Sequence, residues 1–253
     1  MSRPLAPYLA GEPPLVVKAN AAAIFTDLHL SLENPEEISA CVQGLASLPG
    51  RADALIFLGD LFDAYIGRES FVHPYYESLR VAIDFLAAHG CPTYILRGNR
   101  DVMLSKSDGK TFGFEVADSI LVEDDQGKRV LLTHGDAFCL ADLPYQRLRR
   151  ILRLPGLRPL LRALPEWLRE RIARRMRGYS KQEVARKPLD SMALTLEQVE
   201  ATMSEHQVEL AVIGHLHAAA QHDLGGSKRL LVLPAWAPGT APRMVAEMLD
   251  ETV

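Results

Sequence analysis

The chain has 253 residues, a formal net charge of -4 and a hydrophobic share of 48%. That length suits one α/β domain with an insertion, or two small domains, and the composition is that of an ordinary globular protein. No run reaches the ~20 apolar residues of a membrane span, and Cys41, Cys91 and Cys139 are odd in number with no CxxC, which argues for a reducing compartment rather than a disulfide framework.

The first twenty residues hold four prolines and no apolar stretch with a basic flank, so a signal peptide is not expected and residues 1–14 read as a disordered leader. Residues 15–26 form a first strand or hairpin running into Asp27-Leu28-His29. Asn34-Pro35-Glu36-Glu37 opens a helix, with Asn34 as N-cap and acids at its positive end. The run Ile56–Leu58 then enters Gly59-Asp60, as a fully buried parallel strand does when it ends in a loop. Residues 64–74 read as loop and Tyr75–His89 as a helix with Leu79, Ile83 and Leu86 inward. A strand through Ile95 leads to Gly98-Asn99-Arg100-Asp101, which completes a βαβ pattern. Residues 102–128 are less regular, but Glu123–Lys128 reads as a hairpin turn before a strand at 129–133, which ends in His134-Gly135-Asp136.

From Tyr145 to Lys187 there are fourteen Lys or Arg against three acids, with Leu148, Ile151, Trp167 and Ile172 interleaved. Residues 138–192 therefore read as an amphipathic helical insertion, broken at Pro155-Gly156 and Pro165, standing over the strand ends. A helix from Thr195 to His206 returns the chain to the sheet. A strand over 209–213 enters Gly214-His215-Leu216-His217, another over 229–233 ends at Pro234, and Met244–Leu249 reads as a closing strand.

Five strand ends of one sheet thus offer Asp27, His29, Asp60, Asn99, His134, His215 and His217, and in open α/β sheets ligands sit at those ends. Seven ligands are too many for one ion. With Asp60 bridging they suit two divalent ions about 3.5–4 Å apart: Asp27, His29, Asp60 and His217 on one, Asp60, Asn99, His134 and His215 on the other. Mixed N and O donors favour Mn, Fe or Zn over Mg or Ca. Water activated between two cations would attack a phosphorus in line, with Arg100 able to fork onto phosphate. No G-x-S-x-G, GxGxxG or Walker A supports other chemistry. His73, His89, His206 and His222 read as solvated or helix-end residues.

The motifs D-x-H, GD, GN-R-D, HGD and G-H-x-H, in this order from Asp27 to His217, resemble the calcineurin-like metallophosphoesterases. Gly59–Gly67, Gly98–Met103, His134–Asp136 with Cys139 and Asp142, and the insertion segment Arg171–Arg177 with Ser180-Lys181 are similar to the UDP-2,3-diacylglucosamine hydrolases among them. The resemblance implies an αββα sandwich with a helical cap: core residues 15–137 and 193–253, cap 138–192. It implies a dimetal hydrolase using two Mn²⁺, or other divalent transition ions. Such an enzyme splits the pyrophosphate of UDP-2,3-diacylglucosamine by water attack at the UMP phosphorus, in lipid A synthesis. It further implies catalytic roles for Asn99, Arg100 and His134, and substrate contacts from Asn99, Arg100, Asp142, Arg177, Ser180 and Lys187. The expected location is cytoplasmic, peripheral on the inner face of the inner membrane, with a lipid-linked UDP-sugar as partner and no nucleic acid. The chain departs from the family's G-H-T-H-R-P at Leu216, Ala218 and Ala219, has Val184 where the family has Asn, and has Pro234–Ala237 in place of acidic or Gly-containing variants. A related phosphoesterase with another phosphodiester or nucleotide substrate, or a catalytically dead module whose arginine segment docks on membranes or nucleic acid, remains an alternative at this point.

Overall fold

A computed structural model of the chain describes residues 12–154, 156–175 and 193–250. Two sheets lie at its centre. One is six-stranded, in the order β1 (Leu15–Lys18), β6 (Ser119–Glu123), β7 (Arg129–Thr133), β8 (Leu210–Ile213), β10 (Arg229–Val232), β9 (Ala220–Asp223). The other is five-stranded, in the order β11 (Arg243–Met244), β2 (Ala22–Phe25), β3 (Ala54–Phe57), β4 (Thr93–Leu96), β5 (Phe114–Ala117). Pairing is parallel from β2 through β5 and between β7, β8 and β10, with antiparallel pairs at β6–β7, β9–β10 and β2–β11.

Side chains alternate across each strand, so the central strands feed two cores at once. Ile24, Ile56 and Leu96 meet Leu132 and Val212 between the sheets. Phe25, Phe57 and Ile95 point the other way, beneath α1 (Pro35–Leu45) and α3 (Glu77–Ala88). Leu131, Ala211 and Ile213 pack under α8 (Leu196–His206). The result is the expected four-layer αββα sandwich. Strands covered on both faces need continuous apolar runs, and β2, β3 and β8 are buried at every residue.

Several expectations are corrected. The strand ends do not belong to one sheet: those of β2, β3 and β4 come from the five-stranded sheet, those of β7 and β8 from the six-stranded one. Residues 15–26 are not a hairpin, because β1 and β2 join different sheets. Asn34 precedes α1 but its side chain makes no capping bond. Residues 64–74 contain a short helix, α2 (Arg68–Val72). The irregular stretch after Asp101 contains α4 (Lys106–Phe112), opened by a capping box in which Ser105 and Asp108 exchange hydrogen bonds. The C-terminal segment is a strand only at Arg243–Met244 and continues as helix α9 (Val245–Asp250), whose Val245 and Met248 are buried one turn apart.

Three helices follow β7 and the short 3₁₀ turn at Asp136–Phe138: α5 (Leu143–Leu152), α6 (Leu157–Arg162) and α7 (166–175). All three cysteines are buried. Among the described residues, no helix is long and apolar enough to cross a membrane.

Candidate metal centre

The loops after β2 and β3 run side by side beyond the sheet. Asp27 N donates to Gly59 O, His29 N to Asp60 O and Leu30 N to Leu61 O, at 2.9–3.2 Å. The loops after β7 and β8 are tied likewise, Gly214 N donating to His134 O at 3.0 Å. The loop after β4 is tied to Asp60 itself, whose Oδ1 accepts from Arg100 N at 2.9 Å. Loops that are normally free are thereby fixed to one another as firmly as strands.

Six non-glycine residues among those described have positive φ, and five of them are Asp27, His29, Asp60, His215 and His217. Each such backbone costs about 1–2 kcal/mol for an L-residue. The cost concentrates on the side chains that sequence alone marked as ligands. Gly98 and Gly214 explain why glycine precedes two of the motifs. A Cβ at Gly98 would lie 2.1 Å from Asp60 Oδ1, and one at Gly214 would lie 2.3 Å from Asp27 Oδ2.

The ligating atoms gather in two groups, Asp27–His29–His217 and Asp27–Asp60–His134, each with its atoms within 4.8 Å of one another. Asp27 belongs to both, and Asp60, in the second, also reaches toward the first, its Oδ2 3.9 Å from His29 Nδ1 and its Oδ1 3.6 Å from His134 Nε2. Asn99 Oδ1 lies 3.2 Å from His134 Nε2. His215 is in neither group. Its ring lies edge-on to His134 at 5.0 Å, and its backbone N donates to Asp27 Oδ2 at 2.9 Å.

These residues fit divalent cations. The Leu58 carbonyl accepts from His134 Nδ1 at 3.1 Å, so the proton sits on Nδ1. The Nε2 lone pair then faces two further acceptors, Asn99 Oδ1 and Asp60 Oδ1, an arrangement that a positive charge between them relieves. Asp27 Oδ1 is buried with no hydrogen-bond donor, and so is His29 Nδ1. Titration behaviour points the same way. Burial pushes Asp60 up, His134 opposes it, and Asp101 and Asp27 add to the rise, to about 7. Burial lowers His134, yet Asp60, Asp27, Asp136 and Asp101 overcome it and hold it up at about 9, so that a proton takes the place of a cation. Asp27 stays well below the ordinary carboxylate range: burial raises it, but the nearby His217 imidazole, the His134 charge and the Thr26 hydroxyl outweigh that. Burial takes His29 down to about 4, and burial with the His134 charge does the same to His215.

With that geometry in view, the comparisons are decisive. The family model of the calcineurin-like phosphoesterases matches residues 22–219. The chain belongs to the calcineurin-like phosphoesterase family. It is 36% identical to UDP-2,3-diacylglucosamine hydrolase of Escherichia fergusonii over 234 residues, covering 91% of this chain and 97% of that one, and equally so to the Escherichia coli protein of that name. Among solved structures, vacuolar protein sorting 29 from Cryptosporidium parvum superposes with a TM-score of 0.39 at 12% identity, over 86% of this chain and 75% of that one.

Asp101 and Asp136 support the candidate centre although the motifs that contain them assigned them no role. Asp101 is buried, accepts from Gly98 N and Leu61 N at 2.7 and 3.0 Å, and so ties two ligand loops together. Asp136, third in the HGD motif, is buried and accepts from the Tyr145 hydroxyl at 2.5 Å and Arg149 Nε at 2.8 Å. The Tyr145 ring in turn stacks on His215 at 6.3 Å. Asp142 is the N-cap of α5, accepting from Tyr145 N at 3.1 Å. Arg100 Nε is buried and has no hydrogen-bond partner among the described residues. Arg177, Ser180, Val184 and Lys187 lie outside the described residues. The arginines of α5–α7 are not simply a cationic face: Arg149 pairs with Asp136, Arg153 with Asp118, Arg162 with Asp108 and Arg169 with Glu69.

Proposed function

We propose that this phosphoesterase hydrolyses the pyrophosphate bond of UDP-2,3-diacylglucosamine, giving UMP and 2,3-diacylglucosamine 1-phosphate for lipid A synthesis. The observation that carries the reading is the pocket of strained carboxylates and imidazoles at the strand ends, in a chain that matches hydrolases of that name over nearly its whole length.

Asp27, His29, Asp60 and His217 would hold one divalent ion and Asp60, Asn99, His134 and His215 the other. Two such ions, Mn²⁺ on this reading, supply when bound the Lewis acidity that neutralises phosphoryl oxygens and lets water attack at neutral pH. The remaining work falls to the chain. Asp60 sets the spacing between the two ligand groups, and its bond from Arg100 N holds the Asn99–Arg100 turn beside them. Arg100 brings a planar fork suited to a phosphate, and its unpartnered Nε supports that role. Oxygen from water joins the UMP phosphorus, and the bridging oxygen leaves with the sugar phosphate.

The cap, residues 138–192 on this reading, would hold the lipid. Leu143, Ile151, Leu160 and Trp167 are exposed there among arginines. Apolar side chains beside guanidinium groups suit acyl chains with an anionic head, and peripheral contact with the inner face of the inner membrane. Asp142, Arg177, Ser180 and Lys187 complete the proposed substrate contacts.

The test is UMP release from UDP-2,3-diacylglucosamine in mixed micelles with Mn²⁺, run in ¹⁸O-water. The label is expected in UMP. Label in the sugar phosphate, or equal turnover of single-stranded DNA or UDP-GlcNAc, would overturn the reading.

A further inference from the structure

Next to the edge of the five-stranded sheet, two guanidinium groups contact one carboxylate and a third lies within electrostatic reach of all three. Asp118 lies where the chain passes from β5 to β6. Its Oδ1 accepts from Arg97 Nη1 at 2.8 Å and Arg153 Nη1 at 2.7 Å. Arg97, 2% exposed, also donates from Nε to Leu104 O at 2.7 Å. Arg158, on α6, is the third. Among the described residues it has no hydrogen bond and no ion pair, although its Nε is sealed from solvent. Arg153 Nε is sealed and unpartnered as well.

Nearby acids among the described residues do not complete the set. Asp136 is taken by Arg149 and Tyr145, and Glu12 pairs with Lys106 at 2.6 Å. One carboxylate cannot balance three half-buried or buried guanidiniums, and unpaired charge away from water is costly. Burial and the like charge of Arg97 hold the Arg158 guanidinium down at about 10, which records the same imbalance.

We propose that Arg97, Arg153 and Arg158 form a second anion site, outside the metal centre, for a phosphate-type oxyanion of one or two negative charges. Planar guanidinium groups recognise phosphate oxygens through paired N–H bonds, and an anion here would remove the charge excess. The phosphate could be free or carried on a lipid head group. The site is independent of the substrate assigned above, since it shares no residue with the ligand set.

Thermal melting of the full chain tests it, in low-millimolar inorganic phosphate against chloride of matched ionic strength, and against vesicles containing phosphatidylglycerol. Three proteins are compared: wild type, Arg158→Gln and Asp60→Ala. Phosphate or the vesicles should raise the melting temperature of wild type and Asp60→Ala by about 2–4 °C, and leave Arg158→Gln unmoved. Which of the two ligands acts identifies the source. In phosphate-free buffer Arg158→Gln should melt no lower than wild type, because the residue it removes has no partner. The proposal is overturned if Arg158→Gln keeps the shift, if the shift disappears in Asp60→Ala alone, if neither ligand moves wild type, or if Arg158→Gln melts lower without phosphate.

Discussion

The Nε2 atoms of His29 and His217 lie 3.1 Å apart although 188 residues separate them. One such nitrogen can donate to the other only if it is protonated. Asp27 Oδ1 lies 3.4 Å from the same His217 atom. A divalent ion among the three satisfies all of them at once. His29 and His217 are 24% and 49% exposed at their side chains, whereas Asp60 and His134 are at 2% and 1%. The ion beside His217 should therefore exchange more readily. Metal release to a chelator is expected in two phases, and His29→Ala should lose the fast phase and one ion per chain. Asp60→Ala should lose both ions and Mn²⁺-dependent UMP release. Two retained ions in Asp60→Ala would refute the bridging role.

Gly98 leaves no room for a side chain at the centre. An alanine methyl there would lie 2.1 Å from Asp60 Oδ1 and 2.6 Å from Asp60 N. The carboxylate and its own backbone would both have to move. Misplacing a reacting group by about 1 Å costs on the order of 10²-fold in rate. Gly98→Ala should fold and lose at least that much turnover, with weaker metal binding by calorimetry. Unchanged kinetics would show that the Asp60 position does not matter.

Asp136 is a positioning residue in this structure. It touches no ligating atom, but it fixes the Tyr145 ring that stacks on His215 and anchors Arg149 of α5. Outer partners of metal ligands are typically worth about 10–100-fold in affinity or activity. Asp136→Asn keeps the volume and should weaken metal affinity within that range. Tyr145→Phe keeps the ring and should change it far less. Equal effects from the two substitutions would assign the role to the hydroxyl bond rather than to the carboxylate.

The centre was legible in the sequence because each ligand follows an apolar strand, and buried parallel strands announce their own ends. Asp60 after Ile56–Leu58 and His215 after Leu210–Ile213 are the clearest cases. That the ligand loops come from two sheets was not legible, since an isolated strand carries no mark of its sheet. The helix α9 was misread because Met244 and Val245 suit a strand, while Ala246, Glu247, Met248 and Leu249 favour a helix. Helix α4 had a signal that went unused: Ser105 and Asp108 have capping-box spacing, and Gly113 closes the helix in a left-handed conformation. The arginine pairings of the cap had no local signal at all. Arg162 finds Asp108 54 residues back and Arg169 finds Glu69 100 back, distances at which charge patterning is silent.

Those long-range pairs make the cap a latched element. Arg169 donates to Ile66 O and forks onto Glu69, so α7 is held to α2 and the loop before it. Arg169→Ala should leave the sandwich intact, because both partners lie outside its cores. Hydrogen exchange should rise in α6 and α7 and not in β2, β3 or β8. A uniform rise across the sheets would mean that the latch supports the whole fold.

The second latch predicts a pH dependence. Asp108 has no exposed side-chain area, and it accepts from Arg162 Nη1 and Nη2 at 2.8 and 2.6 Å and from Arg68 Nε at 3.0 Å. Burial raises its pKa, but the bonds from Arg162, Ser105 and Arg68 outweigh that and hold it below 3.8. A carboxylate depressed in the folded state stabilises fully above its unfolded value and loses that contribution as pH falls through the folded one. Breaking a buried pair costs about 3–5 kcal/mol. Here both arginines can turn toward water, so Asp108→Asn should cost about 1–3 kcal/mol at pH 7. The gap in melting temperature between wild type and Asp108→Asn should be constant from pH 7 to about 5 and shrink below 3.8. A gap undiminished at pH 3, or one that closes already at pH 6, would show that the carboxylate's charge is not what holds these helices in place.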